Sequence, residues 1–206
     1  MIRDAAGNLY GVTGAGGADG GGVAYKLDAT GDEILLCSFE GSDGIGPDSV
    51  LAADGAGNLY GTTEGGGNSE CGGTGCGVVF ELSPDSGGSW TGTVLYTFCS
   101  QSNCADGVEP LDGPLVRDAA GNLYGTTYFG GALPNCNGAG CGVVFKLDPS
   151  GKETVLHSFT GGTDGAFPWA GLTTDAAGNL YGVTAGGGDI NCFPPEGCGV
   201  VFKITP

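Results

Sequence analysis

Apolar residues in this chain fall in clusters of about four to six, mostly β-branched or aromatic, each bounded by Gly, Pro, Asn or Asp. That is the grammar of short β-strands joined by tight turns. No window carries a helical period, and glycine every few residues would penalise a helix heavily. The clusters recur in a fixed order. Asp-x-Ala-Gly-Asn-Leu-Tyr-Gly begins at Asp4, Asp54, Asp118 and Asp175. Each copy is followed by an apolar run: Gly22-Val23-Ala24-Tyr25, Gly77-Val78-Val79-Phe80, Gly142-Val143-Val144-Phe145 and Gly199-Val200-Val201-Phe202. A third cluster appears three times, ending at Phe39, Phe98 and Phe159. Asp-Gly-x-x-Pro and a short apolar segment then lead into the next repeat.

Each repeat therefore predicts four strands. The first precedes the Asp, the second is Asn-Leu-Tyr-Gly-x-Thr, the third Gly-Val-Val-Phe-Lys-Leu, and the fourth Val-Leu-x-Ser-Phe. Gly and Asn stand in the turns where positive φ is needed. The repeats span about 1–46, 47–109, 110–167 and 168–206, read as one domain over 1–206. Four-stranded units of 50 to 64 residues, repeated four times, predict an all-β fold, a β-propeller of four antiparallel blades. A two-sheet sandwich is the alternative, but sandwiches do not repeat so regularly. The fourth repeat has no fourth strand, so its blade is expected to lack the outer strand and to leave an edge at Gly199, Val200, Val201, Phe202 and Ile204. Such an edge is a site for strand addition, and self-association through it is an expected partner mode.

The tandem Asp-Ala-Ala-Gly-Asn-Leu-Tyr-Gly-Thr-Thr, a Gly-rich loop and Gly-Val-Val-Phe-Lys-Leu-Asp-Pro-Ser-Gly resemble the GloVer (Gloeo/Verruco) tandem-repeat family over essentially the whole chain. The shorter Asp-x-x-Gly-Asn-Leu-Tyr element is similar to blades of NHL- and SBBP-type propellers. The resemblance implies a propeller in an extracellular bacterial protein, and it implies no established activity. Ser83-Pro84-Asp85-Ser86-Gly87-Gly88-Ser89-Trp90 also resembles the Asp-box of sialidase-like propellers, where the box is a folding turn.

Composition narrows the partners. With 23 acidic and 6 basic residues the net charge is −17, so no basic patch exists to neutralise phosphates or anionic membranes. Nucleic acid is excluded as a partner, and no stretch is apolar enough for a membrane helix. Eight of nine cysteines form close pairs: Cys71/Cys76, Cys99/Cys104, Cys136/Cys141 and Cys192/Cys198. Three of these pairs occupy the same Gly-rich loop of successive repeats. Their second members, Cys76, Cys141 and Cys198, each stand just before the Gly of the third strand. Disulfides closing short loops fit an oxidising, extracellular or cell-surface location. Zinc is the rival, but such pairs would lie far apart and His157 is the only histidine. Cys37 is left over, either as a packed side chain or as an intermolecular bridge. Met1–Asp4 carries no apolar run, so the oxidising reading expects either a removed leader or a segment of a longer repeat protein.

Catalytic motifs are missing: there is no Gly-x-Ser-x-Gly, no His-Glu-x-x-His and no Gly-Lys-Ser/Thr loop. His157, Glu109 and Asp112 are the singular polar candidates. The Asp of each Asp-Gly-x-x-Pro segment (Asp43, Asp106, Asp164) lies where a propeller's blade connections meet its rim. These three are candidate Ca²⁺ ligands, or caps of their own turns. Phe167, Trp169, Tyr128 and Phe129 depart from the repeat near the same rim and are candidates for stacking on a sugar, or for filling the core. The expected function is a non-catalytic extracellular binding or assembly module, with carbohydrate as a candidate partner and no obligatory cofactor. The alternative is a propeller hydrolase or lyase with carboxylates or a metal at the channel mouth.

Overall fold

A computed structural model describes residues 1–111 and 113–206. The chain is all-β, of the β-propeller class, and divides into two compact units, Met1–Thr97 and Phe98–Pro206. In the first unit, β1 (Ile2–Arg3), β2 (Leu9–Thr13), β3 (Val23–Leu27) and β4 (Glu33–Ser38) form one antiparallel sheet in chain order. The second sheet repeats it with β5 (Ala52–Ala53), β6 (Leu59–Thr63), β7 (Val78–Pro84) and β8 (Trp90–Thr97). The second unit holds β9 (Val116–Arg117), β10 (Leu123–Thr127), β11 (Val143–Leu147) and β12 (Glu153–Ser158). Its other sheet is three-stranded: β13 (Thr173–Thr174), β14 (Leu180–Val183) and β15 (Val201–Ile204). Among the described residues the last repeat thus forms three strands. The edge itself is shorter than expected, because Gly199 and Val200 precede β15. Their N–H groups are taken by Gly187 O at 3.1 Å and the Thr184 hydroxyl at 3.0 Å. Two single 3-10 turns, Ser102–Cys104 and Cys136–Gly138, lie within disulfide loops. Among the described residues no helix is long and apolar enough to cross a membrane.

Each unit has its own core between its two sheets. In the first, Ala24, Leu36 and Phe39 pack with Leu51, Leu59, Val78, Phe80 and Leu82. In the second, Tyr124, Val144 and Phe159 pack with Ala166, Leu172 and Leu180. The Phe after each fourth strand is fully buried and meets the third-strand Phe of the following sheet edge-on. Phe39–Phe80 centroids lie 5.0 Å apart, and Phe98–Phe145 and Phe159–Phe202 each 5.1 Å. The glycine of Leu-Tyr-Gly is explained by the same rings. A Cβ on Gly125 would lie 2.6 Å from Phe145 Cζ and 2.8 Å from Leu115 Cδ2, so the aromatic side chain needs a bare backbone beneath it.

The Tyr and Lys of the second and third strands are cross-strand partners. Lys26 lies over the Tyr10 ring, Lys146 over Tyr124 and Lys203 over Tyr181, at 5.9, 5.9 and 5.6 Å. Three of the six basic residues are therefore engaged in cation–π contacts within the sheets. In the second repeat Glu81 takes the lysine's place and accepts a hydrogen bond from the Tyr60 hydroxyl at 3.0 Å.

Candidate functional site

The repeated Asp builds a turn. Asp118 Oδ1 accepts the backbone N–H groups of Ala120 and Asn122, both at 2.9 Å, while Oδ2 accepts the Asn122 side-chain amide at 2.7 Å and the Tyr124 hydroxyl at 3.0 Å. Asp4, Asp54 and Asp175 bond in the same way to their own Asn and Tyr. Partial burial pushes the Asp118 carboxyl up, but hydrogen bonds from Asn122 and Tyr124 hold it below the usual range. The motif is a self-contained clasp between the first two strands. Asp118→Ala removes every acceptor at once and is expected to cost about 1–2 kcal/mol in urea unfolding, with Asp118→Asn costing less because Oδ1 remains. An Asp118→Ala variant as stable as wild type would show that the carboxylate is not the clasp. The Asp-box also proves to be a turn: Asp85 accepts Gly87 N–H at 2.8 Å and Ser89 N–H at 3.0 Å, closing the β7–β8 hairpin.

The Asp-Gly-x-x-Pro aspartates are likewise bound to their own turns. Asp43 accepts Glu40 N–H at 2.7 Å. Asp106 accepts Ser100 N–H at 2.8 Å and the Ser100 hydroxyl at 3.0 Å. Asp164 accepts Thr160 N–H at 3.0 Å, the Thr160 hydroxyl, and a contact from His157 Nε2 at 3.2 Å. His157 is thus paired with Asp164 and sits edge-on to Phe159, 4.7 Å between centroids. Glu109 gives its backbone carbonyl to Tyr128 N–H at 2.9 Å. Asp112 lies outside the described residues.

All four cysteine pairs are disulfides: Cys71–Cys76, Cys99–Cys104, Cys136–Cys141 and Cys192–Cys198. They point to an oxidising environment. The three loop pairs differ in burial at Cys198. Cys76 and Cys141 are fully buried, whereas Cys198 is exposed, and so is its partner Cys192, 6.0 Å away between Cα atoms. The reason lies in the turn that follows the fourth strand, β12. Gly161 lies against Cys141 Sγ, and Phe167 N–H bonds to Cys141 O at 2.9 Å. Among the described residues no such turn covers Cys198. The last bridge therefore closes a solvent-facing loop, while Cys76 and Cys141 anchor theirs in the interior.

Cys37 is the one free cysteine among the described residues. Its side chain packs against the first unit's core, and burial, then the charges of Asp43 and Glu40, push its thiol up to about 11. A thiol in that state is a poor nucleophile near neutral pH.

The four candidate aromatics converge. Tyr128 stacks on Phe167 at 5.1 Å, meets Phe129 edge-on at 4.6 Å and meets Trp169 edge-on at 5.3 Å; Phe129 also touches Phe167 at 5.8 Å. Trp169 is 49 % exposed and the other three are half-buried. The patch depends on an unusual backbone. Phe167 has φ +58°, in the left-handed region, where the equivalent residues are Gly46 at +66° and Glu109 at +55°. Besides its N–H bond to Cys141, its carbonyl accepts Ala185 N–H, also at 2.9 Å. An aromatic residue at positive φ is disfavoured relative to glycine, and such strain concentrates at functional positions.

Two features were not anticipated. Asn135, Asn137, Thr160, Phe167 and Glu196 help line a cleft of about 300 Å³ beside the patch. Glu153, at the start of β12, is only 8 % exposed and accepts Gln101 Nε2 at 3.1 Å. Its other oxygen has no partner, while fully buried Asp106 raises its pKa further.

Residues 1–194 match the Gloeobacter/Verrucomicrobia repeat. The chain belongs to that family. No curated protein matches this member of the family in sequence. Among solved structures, a luciferin-regenerating enzyme is similar at 19 % identity and a TM-score of 0.59, covering 99 % of this chain and 59 % of its own. A putative gluconolactonase is similar at 16 % identity and a TM-score of 0.55, covering 98 % of this chain and 56 % of its own. At these identities the likeness is one of fold. The chain spans less than two thirds of the length of either protein.

Proposed function

We propose that this Gloeobacter/Verrucomicrobia repeat protein is a non-catalytic binding module, working outside the cytoplasm, that takes carbohydrate on the aromatic patch of its second unit. The observation that carries this reading is the meeting of Tyr128, Phe129, Phe167 and Trp169 in one place. Residues common to all repeats build the scaffold, and these four are departures from it. Exposed aromatic faces with no basic residue among them suit the apolar C–H face of a sugar better than an anion. Trp169→Ala is expected to weaken glycan binding about 10- to 30-fold while leaving the melting temperature unchanged, because the ring is half in solvent. A glycan screen in which neither protein binds would remove the reading.

Two other readings draw on other features. The hydrolase or lyase reading draws on the His157–Asp164 contact and on the enzymes named among the fold neighbours. Against it, Asp164 already accepts two hydrogen bonds from Thr160 of its own turn. A tightly held metal after dialysis, Ca²⁺ included, would favour it. Assembly draws on β15, which pairs only with β14 among the described residues and carries Val201 at 79 % exposure. Light scattering at multiples of 20.2 kDa would support it.

A further inference from the structure

The cleft beside the aromatic patch has a chemistry of its own. Phe167 forms part of its wall, so cleft and patch share one residue. Its lining includes two asparagines, Asn135 and Asn137, and the acidic Glu196, beside Thr160, whose hydroxyl is given to Asp164. Carboxamides both donate and accept, and a carboxylate accepts strongly, which is the complement of a ring bearing several hydroxyls. No basic side chain lines the cleft. An anionic ligand would meet Glu196 uncompensated, in a protein of net charge −17.

The loop carrying the two asparagines is held in shape. The Cys136–Cys141 disulfide spans it, and the N–H groups of Gly138 and Gly140 both bond to Asn135 O at 3.1 Å. Asn137 sits at φ +60°, a conformation asparagine tolerates better than most residues. The disulfide sulfurs lie against Gly161, where an added Cβ would be 3.1 Å from Cys136 Sγ and 3.2 Å from Cys141 Sγ. The polar groups are therefore mounted on a braced turn, which lowers the ordering cost of binding.

The first unit provides an internal comparison. It has a cleft of about the same 300 Å³ that includes Gly41, Ile45, Gly66 and Asn68, without an aromatic or a carboxylate in its lining. The repeat alone makes a hollow, and only the second unit furnishes it with a ring and an acid.

We propose that the cleft lined by Asn135, Asn137, Thr160, Phe167 and Glu196 is a subsite for one uncharged sugar residue, its ring against Phe167 and its hydroxyls on the carboxamides and Glu196. The size suits one ring-sized group, being at the small end of ligand pockets. This subsite rests on the carbohydrate reading, with Trp169 and Tyr128 supporting the neighbouring residue of the same chain.

The test is affinity electrophoresis of the whole, non-reduced protein in gels containing neutral β-glucan, xylan or galactomannan, or anionic polygalacturonate. Retention is expected on at least one neutral polymer and not on polygalacturonate. Asn137→Gly, which keeps the positive φ, and Glu196→Gln, both at exposed positions, are expected to weaken it roughly five- to tenfold each with unchanged melting. If Trp169→Ala weakens retention but those two variants behave as wild type, the subsite is wrong and the aromatic reading stands. If no neutral polymer retards the protein, both fail together. Retention on polygalacturonate alone would overturn the charge argument and with it the proposal.

Discussion

Reduction of the four disulfides is expected to lower the melting temperature by roughly 15–30 °C while leaving the strand signal intact below the transition. Each bridge joins cysteines five or six positions apart, which in the chain-entropy picture contributes about 2 kcal/mol, or about 8 kcal/mol for four independent loops. Two of these loops have almost no side chains of their own to pack. Between their cysteines, residues 71–76 carry mostly glycine and residues 136–141 only glycine, asparagine and alanine, and both backbones repeatedly enter positive φ. The strands depend instead on their own ladders and on the buried Phe contacts, so they should persist without the bridges. Circular dichroism melts with and without reductant make the comparison. Coincident melts would mean that the cysteines do not staple the purified protein, and the argument for an oxidising compartment would lose its basis.

Strands were readable in the sequence because local pattern and tertiary pairing agree. Leu-Tyr-Gly-x-Thr and Gly-Val-Val-Phe each carry their own turn chemistry, and the Asp clasp is made entirely within seven residues. The cysteine pairs were readable for the same reason: their partners are neighbours in the chain. What needed the structure is non-local. Cys141 and Cys198 have the same place in the repeat, yet only Cys141 is covered, by residues some twenty positions further on. Glu33 and Glu153 occupy equivalent fourth-strand positions, paired with Leu27 and Leu147, yet one is exposed and the other buried. The difference is made by the loop at Ser100–Asp106, more than forty residues away, whose Gln101 reaches Glu153. The four aromatics could be named one by one as departures from the repeat. Their meeting depends on the left-handed turn at Phe167, a residue type that gives no hint of positive φ. Asn135 and Asn137 carry no signal of a cleft in the sequence, because they belong to a Gly- and Asn-rich loop.

Glu153→Gln is expected to make the protein more stable at pH 8 and to change it little at pH 4. Burial first, and then the charge of Asp106, push the Glu153 carboxyl from 4.5 up to about 7; the Gln101 amide opposes them and does not prevail. A carboxyl whose folded pKa is raised favours the folded state fully below its unfolded value of 4.5. That advantage drains away as pH rises from 4.5 to 7, and above 7 the folded protein carries a buried charge with one unpartnered oxygen. The penalty is on the order of 3 kcal/mol for a shift of this size. Gln is neutral throughout and matches Glu in shape, so the loss should vanish in the variant. The acid limb has a different origin. The side-chain amide of Asn179 chiefly holds Asp175 down at about 2, and Asp4 is lowered in the same way by Asn8. Their contribution is present above the unfolded value of 3.8 and is lost as pH falls through the folded one. Wild type should therefore be most stable near pH 4–5, between two opposing limbs. In Glu153→Gln only the acid limb should remain, leaving a plateau that extends to pH 8. Melting temperatures of the two proteins from pH 3 to 9 decide the matter: parallel curves would mean that Glu153 is not the group that titrates near neutrality.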